Sequence, residues 1–252
     1  MKTLFWDIET SLQPVAVFQL AHNDYIDPSS ILEERYIICA SWKWEGESTV
    51  HAVSTLDDPK RYARNPHDDT HVVKTLHAVL SQADVLIHHN GDSYDRPYLD
   101  TRILKLGLPA LPPIQSIDTC KVAKTKFRFN SNKLDYLGTF LNLGNKTHTS
   151  HGLWLRVLQG TKGAVREMVD YNKQDVRLLE RVYLALRPYC SNHTNRELFG
   201  GKGCPRCNSR AVHARGLHRA LTKIYQRFQC QSCGGWFRLL KGEAGTTRHR
   251  VL

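Results

Sequence analysis

Hydrophobic positions along this chain change period several times, and the changes mark its elements. Residues 3–8 form a short apolar run ending in acidic residues, and 36–44 and 48–54 are similar runs joined by the turn Glu45-Gly46-Glu47. All three are predicted strands. Helical spacing follows over 69–81, through Val72, Leu76, Val79 and Leu80. A buried strand is expected at 84–88, with Val-Leu-Ile at its centre. A helix is expected at 96–106, with Leu99, Ile103 and Leu106 on one face and Gly107 ending it. Another short strand is predicted at 114–119, and helices over 133–143 and 164–186. The last carries the stripe Val165, Met168, Val169, Val176, Leu179 and Val182. Three strands, then strands alternating with helices, predict a mixed α/β sheet flanked by helices. The polar, glycine-bearing stretch 188–203 predicts a boundary, with residues 1–190 as the α/β domain, 191–203 as a linker and 204–252 as a smaller domain.

Composition narrows the class. With 41% hydrophobic and 23% charged residues in 252, the chain is neither disordered nor collagen-like. No apolar run approaches the roughly 18 residues that cross a bilayer, and Asp7 and Glu9 interrupt the N-terminal one, which points away from an export signal. Charge changes the picture more. Of the formal net +11, residues 196–252 hold 12 basic and 2 acidic residues, a net of +10, and residues 1–195 are left with +1. A near-neutral body with a strongly basic end predicts a polyanionic partner, nucleic acid before a membrane surface.

Cysteine divides the chain at the same place. Cys39, Cys120 and Cys190 stand alone, as buried thiols do. Cys204-Pro-Arg-Cys207 and Cys230-Gln-Ser-Cys233 form two pairs separated by 22 residues. Without an export signal a zinc site is favoured over disulfides, and four thiolates close a tetrahedral, structural Zn2+ site. Gly234-Gly235 suits the turn after the second pair. His213 and His218 lie between the pairs, where four cysteines already suffice.

Carboxylates gather in three segments. In Trp6-Asp7-Ile8-Glu9-Thr10, residues two apart on a strand share a face, so Asp7 and Glu9 are neighbours that a divalent cation would reconcile. The stretch from His88 to Leu99 follows a strand and enters a helix, where Asp95 could equally be a cap. In Tyr171-Asn172-Lys173-Gln174-Asp175, residues four apart share a helix face, bringing Tyr171 and Asp175 to one site. His88 and His89 suit packing or capping better than metal ligation. Asp92 and Asp100 compete with Asp95, and Asp118 suits a helix cap. Lys126 and Arg128, interleaved with Phe127 and Phe129, form a basic aromatic stretch that could contact phosphates and stack bases, or be a solvated loop.

In order and spacing, D-I-E-T, N-x3-Y-D from Asn90, and Y-x3-D from Tyr171 resemble the three motifs of DEDD exonucleases of the ribonuclease H-like superfamily. The tyrosine marks the DEDDy branch, and 90–108 is similar to the second motif of family B polymerase proofreading domains and of related stand-alone exonucleases. The resemblance covers about residues 1–188. The tail from Gly203 resembles a zinc ribbon of transposase-associated DNA-binding proteins.

The resemblance implies a ribonuclease H-like mixed sheet plus a C-terminal zinc ribbon, and a 3′–5′ exonuclease that releases nucleoside monophosphates, preferably from single-stranded 3′ ends of DNA. Asp7, Glu9, Asp95 and Asp175 would hold two Mg2+ or Mn2+ ions, one for the attacking water and one for the leaving oxygen, with Asp7 bridging them. Tyr171 would orient the water, and Asn90 and Tyr94 would shape the nucleotide pocket. Lys126, Arg128, Arg206 and Arg227 would contact substrate, and one structural Zn2+ would sit in the ribbon. Two alternatives use the same residues: a structure-specific or RNase H-like endonuclease, or a non-catalytic DNA-binding adaptor. Expected partners are nucleic acid, DNA before RNA, and replication or recombination proteins, with no membrane. The expected place of work is the cytoplasm of a bacterial cell or phage-infected host.

Overall fold

The structure, a computed structural model, describes residues 1–17, 26–144, 151–193, 203–241 and 250–251. In chain order its elements are β1 (Thr3–Thr10), β2 (Ile37–Trp44), β3 (His51–Ser54), α1 (Pro59–Arg64), α2 (Thr70–Leu80), β4 (Val85–His88), α3 (Asp95–Lys105) and β5 (Gln115–Asp118). Then come α4 (Thr119–Lys126), α5 (Leu134–Phe140), α6 (His151–Leu158), α7 (Lys162–Leu186), β6 (Val212–Arg219), β7 (Ile224–Cys230), β8 (Trp236–Leu240) and β9 (Arg250–Val251). The first five strands form one mixed sheet in the order β3-β2-β1-β4-β5. Strand β1 runs antiparallel to β2 and parallel to β4, and β4 is parallel to β5. This is the ribonuclease H-like architecture expected from the sequence.

Helices cover both faces of the sheet, which is why β1 and β4 read as nearly unbroken apolar runs. Alternation along β1 sorts its side chains. Leu4, Trp6 and Ile8 pack with Val72, Leu76 and Leu80 of α2 and Leu99 of α3. Phe5 faces the other way, onto Val176, Leu179, Val182 and Tyr183 of α7. The same alternation carries Asp7 and Glu9 to the α7 side as β1 leaves the core. No helix among the described residues is long and apolar enough to cross a membrane.

Three helices differ from the expectation. Helices α1 and α6 are short. Helix α4 occupies the stretch taken as basic and aromatic: Asp118 caps it through the Cys120 and Lys121 amides, and Val122 and Ala123 are buried while Lys121, Lys124 and Lys126 face outward. Phe127 and Phe129 pack against each other, with Tyr189 and Phe140 completing an aromatic cluster. Phe127 and Phe129 are thereby partly buried against the core. A second, four-stranded antiparallel sheet, β6-β7-β8-β9, follows at the basic end. Most of the expected linker, residues 194–202, lies outside the described residues.

Candidate active site

Asp7, Glu9 and Asp175 each offer a carboxylate oxygen, and those oxygens all lie within 4.8 Å of one another. Two come from the end of β1 and one from the middle of α7. The group is held from beneath by Asn172, 0% exposed, whose Nδ2 donates to Asp7 Oδ2 at 2.6 Å. Sequence reasoning missed Asn172, yet a signal was present. Asn172 and Asp175 interrupt the buried stripe of α7 between Met168 and Leu179, and a polar residue at a core position needs a partner.

Asp95 stands outside that close group. It opens α3, is 3% exposed, and its Oδ1 accepts the Ile8 amide at 3.1 Å. It thereby fastens α3 to the peptide between Asp7 and Glu9. Burial pushes its carboxyl up to about 6, against the lowering effect of the Ile8 hydrogen bond.

Carboxylate crowding fits a hard divalent cation. A second observation agrees. Ser41, whose backbone pairs with Asp7 across the sheet, has a buried Oγ with no hydrogen-bond partner, and so does Asn172 at Oδ1. Orphaned buried polar atoms beside a carboxylate cluster are what the waters of a hydrated cation would satisfy.

Beside this group, toward β4 and β5, lies a cavity of about 600 Å3 lined by Tyr171, His89, Asn90, Asn132 and Lys124 among others. Tyr171 and Asn90, singled out separately in the sequence, thus meet on one cavity. Asn90 holds a left-handed backbone, φ 64°, and its amide donates to Asp118 Oδ1 at 2.8 Å. Tyr94 sits elsewhere: its hydroxyl is 2.7 Å from that of Thr10, bracing α3 against the end of β1.

A family model for the RNase_H superfamily matches residues 42–187. The chain belongs to the RNase_H superfamily. The matched segment contains Asp95, Tyr171 and Asp175 and begins after β1. Among solved structures, the chain is similar to the family B DNA polymerase from the hyperthermophilic archaeon Pyrobaculum calidifontis, with a TM-score of 0.53 and 14% identity. That match covers 76% of this chain and 26% of the polymerase, so the chain spans about a quarter of it. At that identity the likeness is one of fold. No curated protein matches.

The remaining candidates on the RNase H-like sheet have structural partners. His88, 2% exposed, has its Nε2 2.7 Å from Ser116 Oγ, which donates to Asp92 at 2.6 Å. Lys121 donates to Asp92 at 2.7 Å. His88, Asp92 and Asp118 have the proximity of a metal group, but lysine already supplies the cation there. The hydrogen bond with His88, chiefly, holds the Asp92 carboxyl well below its ordinary range. Asp100 pairs with Arg96 at 2.8 Å. His89 bridges Thr119 and the Asn132 carbonyl. Lys126 and Arg128 are exposed.

At the basic end, Cys204, Cys207, Cys230 and Cys233 form one group. The Sγ atoms of Cys204 and Cys233 are 3.7 Å apart and those of Cys207 and Cys230 are 3.6 Å apart. Disulfide sulfurs would be at about 2 Å, whereas four sulfurs about 2.3 Å from a tetrahedral zinc lie about 3.8 Å apart. Each cysteine pair is followed by a positive-φ residue, Asn208 (61°) or Gly234 (72°), which turns the backbone around the site. The arrangement is compatible with a zinc ribbon.

One expectation is corrected here. Arg206 is not a substrate contact: it is 3% exposed and its Nη1 donates to the Pro188 carbonyl at the end of α7. A guanidinium buried under its own knuckle cannot reach a phosphate. It also explains Gly235, where a Cβ would come within 3.0 Å of Arg206. Arg227, in contrast, is exposed on β7, paired across the ladder with Arg238. Arg238 lies 4.5 Å over the Tyr225 ring, and Trp236, 38% exposed, follows on the same sheet face. Like charges directly opposite one another on a ladder repel.

Proposed function

We propose that this protein is a two-metal-ion 3′–5′ exonuclease that hydrolyses DNA phosphodiesters, preferably at single-stranded 3′ ends, to nucleoside monophosphates. The observation that carries the reading is the convergence of Asp7, Glu9 and Asp175, within 4.8 Å, beside a cavity of about 600 Å3 lined by Tyr171 and Asn90. Three carboxylates from two elements would hold Mg2+ or Mn2+ ions, with Asp95 ionising to complete the set. Bound there, the cations would favour a hydroxide nucleophile and neutralise the leaving oxygen. Asn172 fixes the Asp7 carboxylate. The Tyr171 phenol, which ordinarily titrates near 10, orients the water by hydrogen bonding, and the Asn90 cavity receives the terminal nucleotide. Residues 1–190 constitute the nuclease domain. Residues 204–252, with zinc on the four cysteines, grip the polymer through Arg227 and the neighbouring aromatic side chains, while Lys126 and Arg128 contact phosphates. Such an activity belongs to DNA replication or repair, with proteins of those processes as partners.

The test is cleavage of 5′-labelled single- and double-stranded DNA and RNA with Mg2+ or Mn2+, comparing wild type with Asp7→Ala. A ladder shortening from the 3′ end, lost in the variant, is expected. Discrete internal cuts would replace the reading with an endonuclease, and no cleavage of any substrate would leave a nucleic-acid-binding adaptor.

A further inference from the structure

A second groove, of about 620 Å3, lies across the sheet from the Tyr171 cavity, on the β3 side of β1. Ala52 and Ser54 of β3 line it on one side and α7 on the other, which contributes Lys162, Arg166 and Lys173. Positions four and seven apart put these cations in one row along the helix. No ion pair among the described residues engages any of the three. Two carboxylates share the lining: Asp57, held by the Ser54 amide at 2.7 Å and by its hydroxyl, and Asp170, on the same face of α7 between Arg166 and Lys173. The lining thus carries three cations against two carboxylates, with the small residues Ala52 and Ser54 opposite the helix.

Register ties the groove to the carboxylates. Glu9 pairs with Cys39, and Cys39 with Ser54, so one straight row crosses from the candidate active site to the groove. Two strand spacings make that roughly 10 Å, farther than neighbouring phosphates of one strand lie apart, so a strand with one phosphate at the carboxylates would reach the groove with a phosphate further upstream.

We propose that this groove binds the phosphodiester backbone of a nucleic-acid strand, upstream of the phosphate held at the carboxylates, with Lys162, Arg166 and Lys173 as its phosphate contacts. The position of that phosphate rests on the nuclease reading; the groove's affinity for a polyanion does not. The strand would cross β1, its terminal nucleotide in the Tyr171 cavity and its upstream backbone along α7. Contacts of this kind are independent of base sequence and release counterions.

Fluorescence anisotropy tests it on the full chain in the Asp7→Ala background, without added Mg2+ or Mn2+, so that nothing is cut and the cysteine site is left intact. The probes are a labelled dinucleotide, too short to span both sites, and a labelled single strand of about ten nucleotides, titrated over a range of salt. Lys162→Ala/Arg166→Ala, which removes two contacts, is expected to bind the longer probe about tenfold more weakly, with a salt slope lower by about 1.4, and to bind the shorter as the parent does. Arg166→Lys should keep the slope. Thermal unfolding of each variant guards against misfolding, since all three side chains lie on the surface of a helix. An unchanged slope, or an equal loss on both probes, would overturn the groove. Binding that follows this pattern in a protein that produces no ladder would keep the groove and remove the exonuclease.

Discussion

Asp95 holds its charge poorly. It is buried, its backbone donor is the Ile8 amide, and its carboxyl titrates at about 6 in the fold against an ordinary 3.8. Between those values the folded protein keeps a proton that the unfolded chain has released. Stability of the metal-free protein therefore falls as pH rises from about 4 to about 6 and levels off above that range. Asp95→Asn retains an Oδ1 acceptor for Ile8 and removes the buried charge. It is expected to abolish that decline and to exceed wild type by roughly 1–3 kcal/mol at neutral pH in chelator, as measured by urea unfolding across the pH range. A difference that does not vary with pH would place the proton elsewhere. The identity of Asp95 was legible from N-x3-Y-D. Its burial was not, because the Ile8 amide that it accepts lies 87 residues away.

The connection from β4 to α3 shows how an element boundary is built. His88 closes β4 against Ser116 and Asp92, Asn90 turns left-handed, and Gly91 passes over the His88 ring. A Cβ at Gly91 would lie 2.5 Å from His88 Nδ1 and 2.6 Å from its Cγ, and the ring is pinned by the Ser116 hydroxyl at 2.7 Å. Gly91→Ala is therefore expected to cost about 1–3 kcal/mol and, by shifting Asn90 and Asp95, to lower any nuclease activity more than thermal stability alone explains. A neutral effect in thermal unfolding would mean that the ring can move. The strand and helix on either side were legible in periodicity, and Asp118 was legible as a cap. Helix α4, which it caps, was not: eight residues with four outward polar side chains resemble a loop until β5 and α7 bury Val122 and Ala123.

For the whole molecule, the basic end is fastened to the RNase H-like part of the chain by a residue that sits between two of its clustered cysteines. Arg206 lies inside Cys204-Pro-Arg-Cys207, and its guanidinium reaches the Pro188 carbonyl. Zinc, by shaping the knuckle, should thus also dock the ribbon. Metal analysis is expected to find about one zinc per chain in wild type and Asp7→Ala and none in Cys204→Ser/Cys207→Ser. Arg206→Ala is expected to retain zinc yet show faster proteolysis between the two sheets. Zinc persisting in the double cysteine variant would contradict the site, and unchanged proteolysis would contradict the docking role.

Much of this protein was determined locally. Strand and helix periods, the neighbouring Asp7 and Glu9, the shared face of Tyr171 and Asp175, and the two cysteine knuckles depend on spacings of two to four residues, which backbone geometry converts directly into direction. Tertiary structure decided what depends on distant partners. Asn172 beneath Asp7 joins residues 165 apart. Arg206 turned from a surface cation into a buried anchor because α7 ends at the right place, and Lys162, Arg166 and Lys173 became one wall of a groove only when β3 lay opposite them. A side chain's charge is written in the sequence; whether it faces water, a carbonyl or another strand is set by packing between segments that the sequence keeps far apart.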